Sequence, residues 1–425
     1  MSQLLDSPFR PGRLIRTLPG GIICAAGLAF LAITIVTDLQ SGAQHADYNV
    51  YYTSAFALRH NLDPYQIDIN RFGARFGFWP SALERAPDTP TFILCFEPLT
   101  VLGPVSAYWV WFAIQVLALA AALLVLVGPP GALGAKDRIA VALFALAYPP
   151  IANNFLFAQT QILVLLALAL AMRLLEERHD AGAGLVLALA ALLRAYPLAL
   201  AGYLVAGRRW NAMAWLIVGL AVGGGLTLLA VGSNVCLSFL HGVGLAPGSN
   251  WFSIPRQLAD SAANLSFSDF IGRALDRTLG THQHGMLDSA RRLLVLGFDL
   301  VLVALAFGVG SDDRDNRGFS LWTATMVMLM PVVWIHYLVV MLIPLVQIVK
   351  AGAIQRTSRR VVRAGLWSYA LIFLFSPALF FVAARIGSAP AFAIAEAGFP
   401  VMASGYLASL LFALNSGGSS EHPEP

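Results

Sequence analysis

A small set of polar residues, Asp47, Gln159, Gln161, Arg194, Asn250, Arg256 and His336, borders or interrupts long apolar runs in this sequence. Ionisable groups are expensive in hydrocarbon, so such positions are candidates for function by default. Asp47 has the chemistry of a general base that takes a proton from a hydroxyl nucleophile. It equally suits the cap of a short helix, because Asp is a preferred N-cap. Arg194, between two apolar stretches, must snorkel to an interface or meet an anion. A phosphate matches its planar, permanently charged fork. His336 can donate to a phosphate oxygen or a leaving group, or sit as an interfacial aromatic beside Trp334 and Tyr337. Gln159 can hydrogen-bond sugar hydroxyls or simply begin a helix. Asp299 lies in the middle of an apolar run, where a lone carboxylate costs roughly 2.5–3.5 kcal/mol; it is expected to face the interior of a bundle, with no role assigned.

The elements that must position these residues follow from composition. Of 425 residues, 58% are hydrophobic and only 12% charged, about half the charged share of a soluble domain; mean hydropathy is +0.71. Apolar runs recur from end to end, which implies a single membrane domain. The formal charge of +4 comes from basic residues clustered between apolar runs, the pattern of cytoplasmic loops, so no nucleic-acid partner is expected. The three cysteines, Cys24, Cys95 and Cys236, have no metal-ligand spacing. Arg10, Arg13 and Arg16 precede an apolar run over 18–36. That run is longer than the ~7–15 residues of a signal-peptide core, and it reads as a retained first helix with a cytoplasmic N-terminus. Gly223, Gly224 and Gly225 lie inside an apolar run and read as helix packing, and no nucleotide, zinc or serine-hydrolase motif stands in a suitable context.

A crossing takes about 20 apolar residues. Runs at 18–36, 98–127, 158–175, 211–231, 291–309, 364–385 and 396–415 qualify, with a shorter one at 139–152. Two further runs, 182–207 and 319–350, are too long for one crossing and are broken by Arg194 to Pro197 and by Pro331 with His336. Basic flanks at Arg178, Arg208 and Arg209, and at Arg317, Lys350 and Arg356, lie on one side only if each run is a hairpin. The expected fold is therefore an all-α, polytopic transmembrane helical bundle of about twelve segments. It comprises a cytoplasmic N-terminus (1–17), one membrane domain (18–415) with external loops at about 37–90 and 232–290, and a cytoplasmic tail (416–425). Amphipathic stretches at 48–58 and 267–275 are expected to lie along the membrane surface. Asp47, Gln159, Gln161, Arg194, Asn250, Arg256 and His336 then all fall on the external side. A transporter or lipid flippase shares broken helices and buried polar groups; against it, no two-fold internal repeat is visible, and the polar groups gather at one face.

Over about residues 45–350 the chain resembles glycosyltransferase family 87, polyprenol-phosphate-sugar-dependent membrane transferases of the GT-C class. The resemblance rests on Asp47 with Tyr51 and Tyr52, on Asn61-Leu62-Asp63-Pro64-Tyr65 in place of a glycine-x-proline-tyrosine element, and on the stretches 90–99 and 109–111. It continues in Ala158-Gln159-Thr160-Gln161 (glycine-glutamine-x-asparagine), in Leu193-Arg194-Ala195-Tyr196-Pro197 (lysine-x-x-proline), and in Pro331, Trp334, His336 and Tyr337 (proline-x-x-tryptophan-x-histidine-histidine). Asn61 and Ala158 stand where glycines are expected, Gln161 for asparagine, Arg194 for lysine and Tyr337 for the second histidine. The resemblance implies transfer of one sugar, mannose favoured, with inversion, from a polyprenyl-phosphate donor to a hydroxyl of a glycan or glycolipid acceptor. The setting would be the outer face of a bacterial plasma (inner) membrane. It implies Asp47 as catalytic base, Arg194 and His336 at the donor phosphate, and substrate contacts from Tyr51, Tyr65, Gln159, Gln161, Asn250, Trp334 and Tyr337. A single external catalytic acid suggests no metal pair, so neither metal nor other cofactor is expected.

Overall fold

The structure, a computed structural model, describes residues 11, 18–41, 44, 46–78, 85–128, 133–242, 264–279, 284–309, 316–354, 357–385 and 396–415. Helices account for its regular structure, and there is no strand among the described residues. The chain runs through α1 (Leu18–Ser41), α2 (Ala46–Arg59), the short α3 (Ile69–Gly73), α4 (Pro90–Phe96), α5 (Pro104–Val127), α6 (Ala135–Leu146) and α7 (Pro149–Leu156). It continues as α8 (Gln161–Glu176), α9 (Asp180–Leu193), α10 (Ala201–Ala206), α11 (Trp210–Val231), α12 (Ser233–Gly242), α13 (Phe267–Leu279) and α14 (His284–Val309). It ends with α15 (Arg317–Met328), α16 (Leu342–Ala353), α17 (Arg359–Arg385) and α18 (Gly398–Leu414).

Among the described residues four stretches are long and apolar enough to cross a membrane: α5, α11, Ser289–Val309 within α14, and Ile335–Ala353, which joins a 3₁₀ segment to α16. A fifth arises if α6 and α7, bent by 48°, make one span. The remaining apolar helices, among them α9 and α18, are shorter. Burial sorts the four: 89% of the Ile335–Ala353 window is buried, against 11% for α11 and for Ser289–Val309. The first forms the centre of the bundle. The other two turn side chains such as Leu229 and Leu293 outward, as helices facing lipid do.

Both long apolar runs break where the sequence indicates. In the first, α9 stops at Arg194, whose backbone is extended (φ −145°, ψ 125°), and a 3₁₀ segment (Tyr196–Leu200) leads into α10. Pro197 in that segment has no N–H to donate, which prevents α9 from continuing. Arg209 Nη1 meets Asp180 Oδ1 at 3.3 Å, so the feet of this hairpin stand together. In the second, α15 ends before Pro331 and the chain returns through Ile335–Met341 and α16. Its feet share that same end: Asn316 Nδ2 donates to Glu176 Oε1, and Lys350 donates to the Leu126 carbonyl at the end of α5 at 2.9 Å.

Small residues bring α9 against α11. A Cβ on Gly184 would fall 2.2 Å from the Ala212 carbonyl oxygen and 2.8 Å from the Leu216 nitrogen, and one on Gly223 would fall 2.3 Å from Leu192 Cδ1. Close backbone approach through small side chains is the usual way helices pack in lipid, and Gly223, first of the glycine run, serves it.

At the end of the bundle that carries α2, the structure departs from expectation. The stretch 48–58, expected along the membrane surface, lies inside α2 and is enclosed: Tyr48, Val50, Tyr51 and Tyr52 are 2% exposed or less. Amphipathic spacing does not distinguish a lipid surface from an aromatic core, and here the partners are Phe78, Phe92, Phe96, Tyr108 and Trp111. Tyr48 and Tyr52 donate to the Pro104 and Leu102 carbonyls at 2.6 and 2.9 Å, which anchors α2 above α5. The second stretch forms α13, where Phe267 stacks on Phe298 and Phe270 on Phe399. Asp299 is half-buried rather than enclosed. Cys24, Cys95 and Cys236 are free thiols. The end segments 1–17, Pro11 aside, and 416–425 fall outside the described residues.

Gly184→Ala should lower the thermal unfolding midpoint of the purified protein in detergent, an overpacking cost of about 1–3 kcal/mol. Gly224→Ala, where a Cβ meets nothing within 4 Å, should leave the midpoint unchanged. Equal midpoints for the two variants would contradict this packing.

Candidate functional site

Arg194 is buried, and its guanidinium is shared among three elements. Nη1 meets Asp88 Oδ1 at 2.6 Å. Nε donates to Thr160 Oγ1 at 2.7 Å, and Nη2 donates to the Tyr51 hydroxyl at 2.8 Å and to Gln159 Oε1 at 3.4 Å. Tyr51 in turn donates to Gln159 Oε1 at 2.8 Å, and Gln159 Nε2 donates to Asp47 Oδ2 at 2.7 Å. Asp47, in the first turn of α2, is therefore joined to Arg194 through one amide. Phe92 and Tyr51 also present their rings to the guanidinium, 5.6 and 5.8 Å from its carbon.

Local chain geometry fixes each member. Ala158 lies in the left-handed region (φ 51°). Its N–H reaches the Phe155 carbonyl at 2.9 Å while that of Gln159 reaches the Asn154 carbonyl at 2.8 Å, the paired bonds of a Schellman cap closing α7. Trp111 Nε1 clasps the same turn by donating to the Ala158 carbonyl at 2.8 Å. Asn61 (φ 57°) closes α2 in the same way, with bonds from Asn61 to Leu58 and from Leu62 to Ala57 at 2.9 Å each. Both are positions where the resemblance leads one to expect glycine, and the backbone keeps a glycine-like conformation there without one. For Ala158 that conformation costs roughly 1–2 kcal/mol.

Asp88 is positioned by Thr89. The Thr89 hydroxyl accepts from Phe92 N at 3.2 Å as the N-cap of α4, with Pro90 at the first helical position. It also donates to the Leu192 carbonyl at 2.6 Å, which ties the start of α4 to the end of α9. Tyr65 adds a bond from its hydroxyl to the Asp88 carbonyl at 2.7 Å. Asp88 itself is 1% exposed. Burial pushes its carboxyl up from the ordinary range, and the Arg194 charge and hydrogen bond work against that rise.

A second group adjoins the first. Tyr196 donates to Gln161 Oε1, and its ring meets that of Tyr337 edge-on at 5.7 Å. His336, buried, lies among Phe157, Trp334 and Tyr337 at 6.0, 5.8 and 4.9 Å between ring centres. It adjoins the first group through Tyr337, whose ring meets that of Tyr196, two residues along the chain from Arg194. The two hairpin tips and α2 thus meet at one end of the bundle. The structure brings Asp47, Tyr51, Gln159 and Arg194 into one bonded chain and sets Gln161, Trp334, His336 and Tyr337 beside it; Tyr65 holds the Asp88 backbone. Asn250 and Arg256 lie outside the described residues.

Asp88 and Thr160 escaped the reading of the sequence. The signal for Asp88 was present twice: a buried arginine needs a counter-ion, and Thr89-Pro90 marks a helix start that would carry an acid to the site. Asp47 is accordingly not the one acid there. Among the described residues no three His, Cys, Asp or Glu side chains are grouped to hold a metal ion. The family model described as glycosyltransferase family 87 matches residues 88–334, more than half of the 425-residue chain. It includes Asp88, Gln159, Arg194 and Trp334; Asp47, Tyr51, Tyr65, His336 and Tyr337 fall outside the matched stretch. No curated protein matches the chain.

Ala158→Gly should relieve the left-handed cap and raise stability by up to about 1 kcal/mol, after glycine's greater freedom in the unfolded chain offsets part of the gain. Ala158→Val, branched at the same φ, should lower it. Thermal unfolding in detergent reads both, and a destabilised glycine variant would contradict the cap.

Proposed function

Because the chain belongs to glycosyltransferase family 87 and is a membrane enzyme that transfers sugars, we propose that it moves one sugar, mannose by preference, from a polyprenyl-phosphate donor. The acceptor is a hydroxyl of a glycan or glycolipid on the non-cytoplasmic side of a bacterial plasma membrane. Asp47 takes the proton of that hydroxyl. The acceptor oxygen bonds to the anomeric carbon on the face opposite the phosphate, the carbon–oxygen bond to phosphate breaks, and its electron pair leaves on the phosphate. One displacement inverts the anomeric configuration. The observation that carries this reading is the 2.7 Å bond from Gln159 Nε2 to Asp47 Oδ2, which orients a carboxylate beside the Arg194 cluster.

In this reading Arg194 and His336 face the donor phosphate, where fixed hydrogen-bond donors stabilise charge that grows as the bond breaks. Tyr51, Gln159, Gln161, Trp334 and Tyr337 line the sugar and acceptor, with Tyr65 behind them and Asn250 contributed by the second external loop. The lipid tail lies along the apolar helices below. We read the chain as about twelve membrane segments with both ends cytoplasmic. Support comes from the two hairpins, whose feet gather at the end opposite Arg194. No metal or other cofactor takes part in this reading.

Asp47→Asn should reduce turnover by about 10²–10⁴-fold, the usual contribution of a general base, with an unchanged unfolding midpoint. Near-full activity in a folded Asp47→Asn protein would remove the assigned base. Treating purified enzyme with a chelator should leave turnover as it was; a loss restored by Mg²⁺ or Mn²⁺ would contradict the metal-free mechanism.

A further inference from the structure

Arg194 is not a free cation waiting for an anion. Its Nη1 is 2.6 Å from Asp88 Oδ1, with the Asp88 side chain fully buried and that of Arg194 11% exposed, so the pair is close to neutral as seen by a ligand. The other Asp88 oxygen, Oδ2, has no hydrogen-bond partner among the described residues. Removing one partner of a buried ion pair leaves an uncompensated charge in the interior, so a pair that well enclosed persists while ligands come and go. We infer that Asp88 is a positioning residue that acts as the resident counter-ion of Arg194 and sets how tightly the site holds phosphate, favouring release of the lipid phosphate left after transfer. This rests on the donor reading above.

The physical reason is a change of charge during the reaction. The donor phosphate is a diester with one negative charge. The leaving lipid phosphate is a monoester, which carries about −1.5 to −2 at neutral pH. In a site shielded from water, an unpaired guanidinium would hold that product more tightly than the substrate. Asp88 offsets the excess. It still leaves Arg194 oriented, because Tyr51 and Thr160 fix the other two faces of the guanidinium.

The test uses the full-length protein in detergent and two probes of equal chain length, farnesyl phosphate and its methyl phosphodiester, titrated by calorimetry. Wild-type protein should bind the two with similar Kd. Asp88→Asn, which keeps a side chain of the same size but removes the charge, should shift preference toward the monoester by roughly tenfold or more, the scale on which one neighbouring charge acts over about 4–6 Å. Monoester inhibition of transfer should tighten in parallel. A wild-type preference for the monoester of tenfold or more would overturn the inference without needing any variant, and so would an unchanged ratio in folded Asp88→Asn. The double variant Asp88→Asn/Arg194→Gln should lose the preference, which separates counter-ion action from a general change in shape. Failure of wild-type protein to bind either lipid would remove the donor reading and this inference together, whereas binding that Arg194→Gln weakens, with no effect of Asp88, would remove the inference alone.

Discussion

A guanidinium enclosed at the tip of a helical hairpin needs partners along its edges, and much of the half of the bundle that carries the hairpin tips is arranged by that requirement. Little of the Arg194 side chain reaches the surface, so most of its N–H groups need partners from the protein. Asp88 supplies the charge, Thr160 and Tyr51 supply oxygens, and Gln159 bridges to Asp47. These partners come from the start of α4, the cap between α7 and α8, and α2. The stretch that carries α2 and α3 is thereby locked onto the bundle. The aromatic layer around Tyr48 and Tyr52 completes the attachment.

The lower half of the bundle solves a different problem. Helices in lipid gain little from burying apolar surface, so close contact must come from shape and from ends that are held in place. Glycines on α9 and α11 allow the backbones to meet. Polar ties at Asp180–Arg209, Glu176–Asn316 and Lys350–Leu126 hold the hairpin feet. Fixed feet and fixed tips leave two short, irregular returns, the 3₁₀ segments Tyr196–Leu200 and Ile335–Met341. Such non-helical backbone is tolerated at depth where other protein covers it, and it is where Tyr196, His336 and Tyr337 emerge.

Features written in one stretch of chain were legible in the sequence: the apolar runs, the breaks at Arg194 and near Pro331, and the gathering of Asp47, Gln159 and Arg194 at one end. Features that depend on a distant partner were not. Asp88 looks like a loop acid until its arginine is known. The enclosure of α2 has the same amphipathic spacing as a surface helix, so only the aromatic side chains facing it reveal its burial. The left-handed turn at Ala158 runs against alanine's own preference; resemblance to a glycine-bearing element was the one hint. Family membership extends from Asp88 through Trp334, and the bonded chain from Arg194 carries the site outward from there to Asp47.

The central claim is that this end of the bundle exchanges sugar between a lipid phosphate and a hydroxyl. The most direct measurement incubates the purified protein with a panel of polyprenyl-phosphate sugars and, separately, nucleotide sugars, together with a glycolipid acceptor, and follows which donor is consumed and the anomeric configuration of the product. The account predicts consumption of a polyprenyl-phosphate sugar with inversion. Consumption of a nucleotide sugar alone, or retention of configuration, would contradict it.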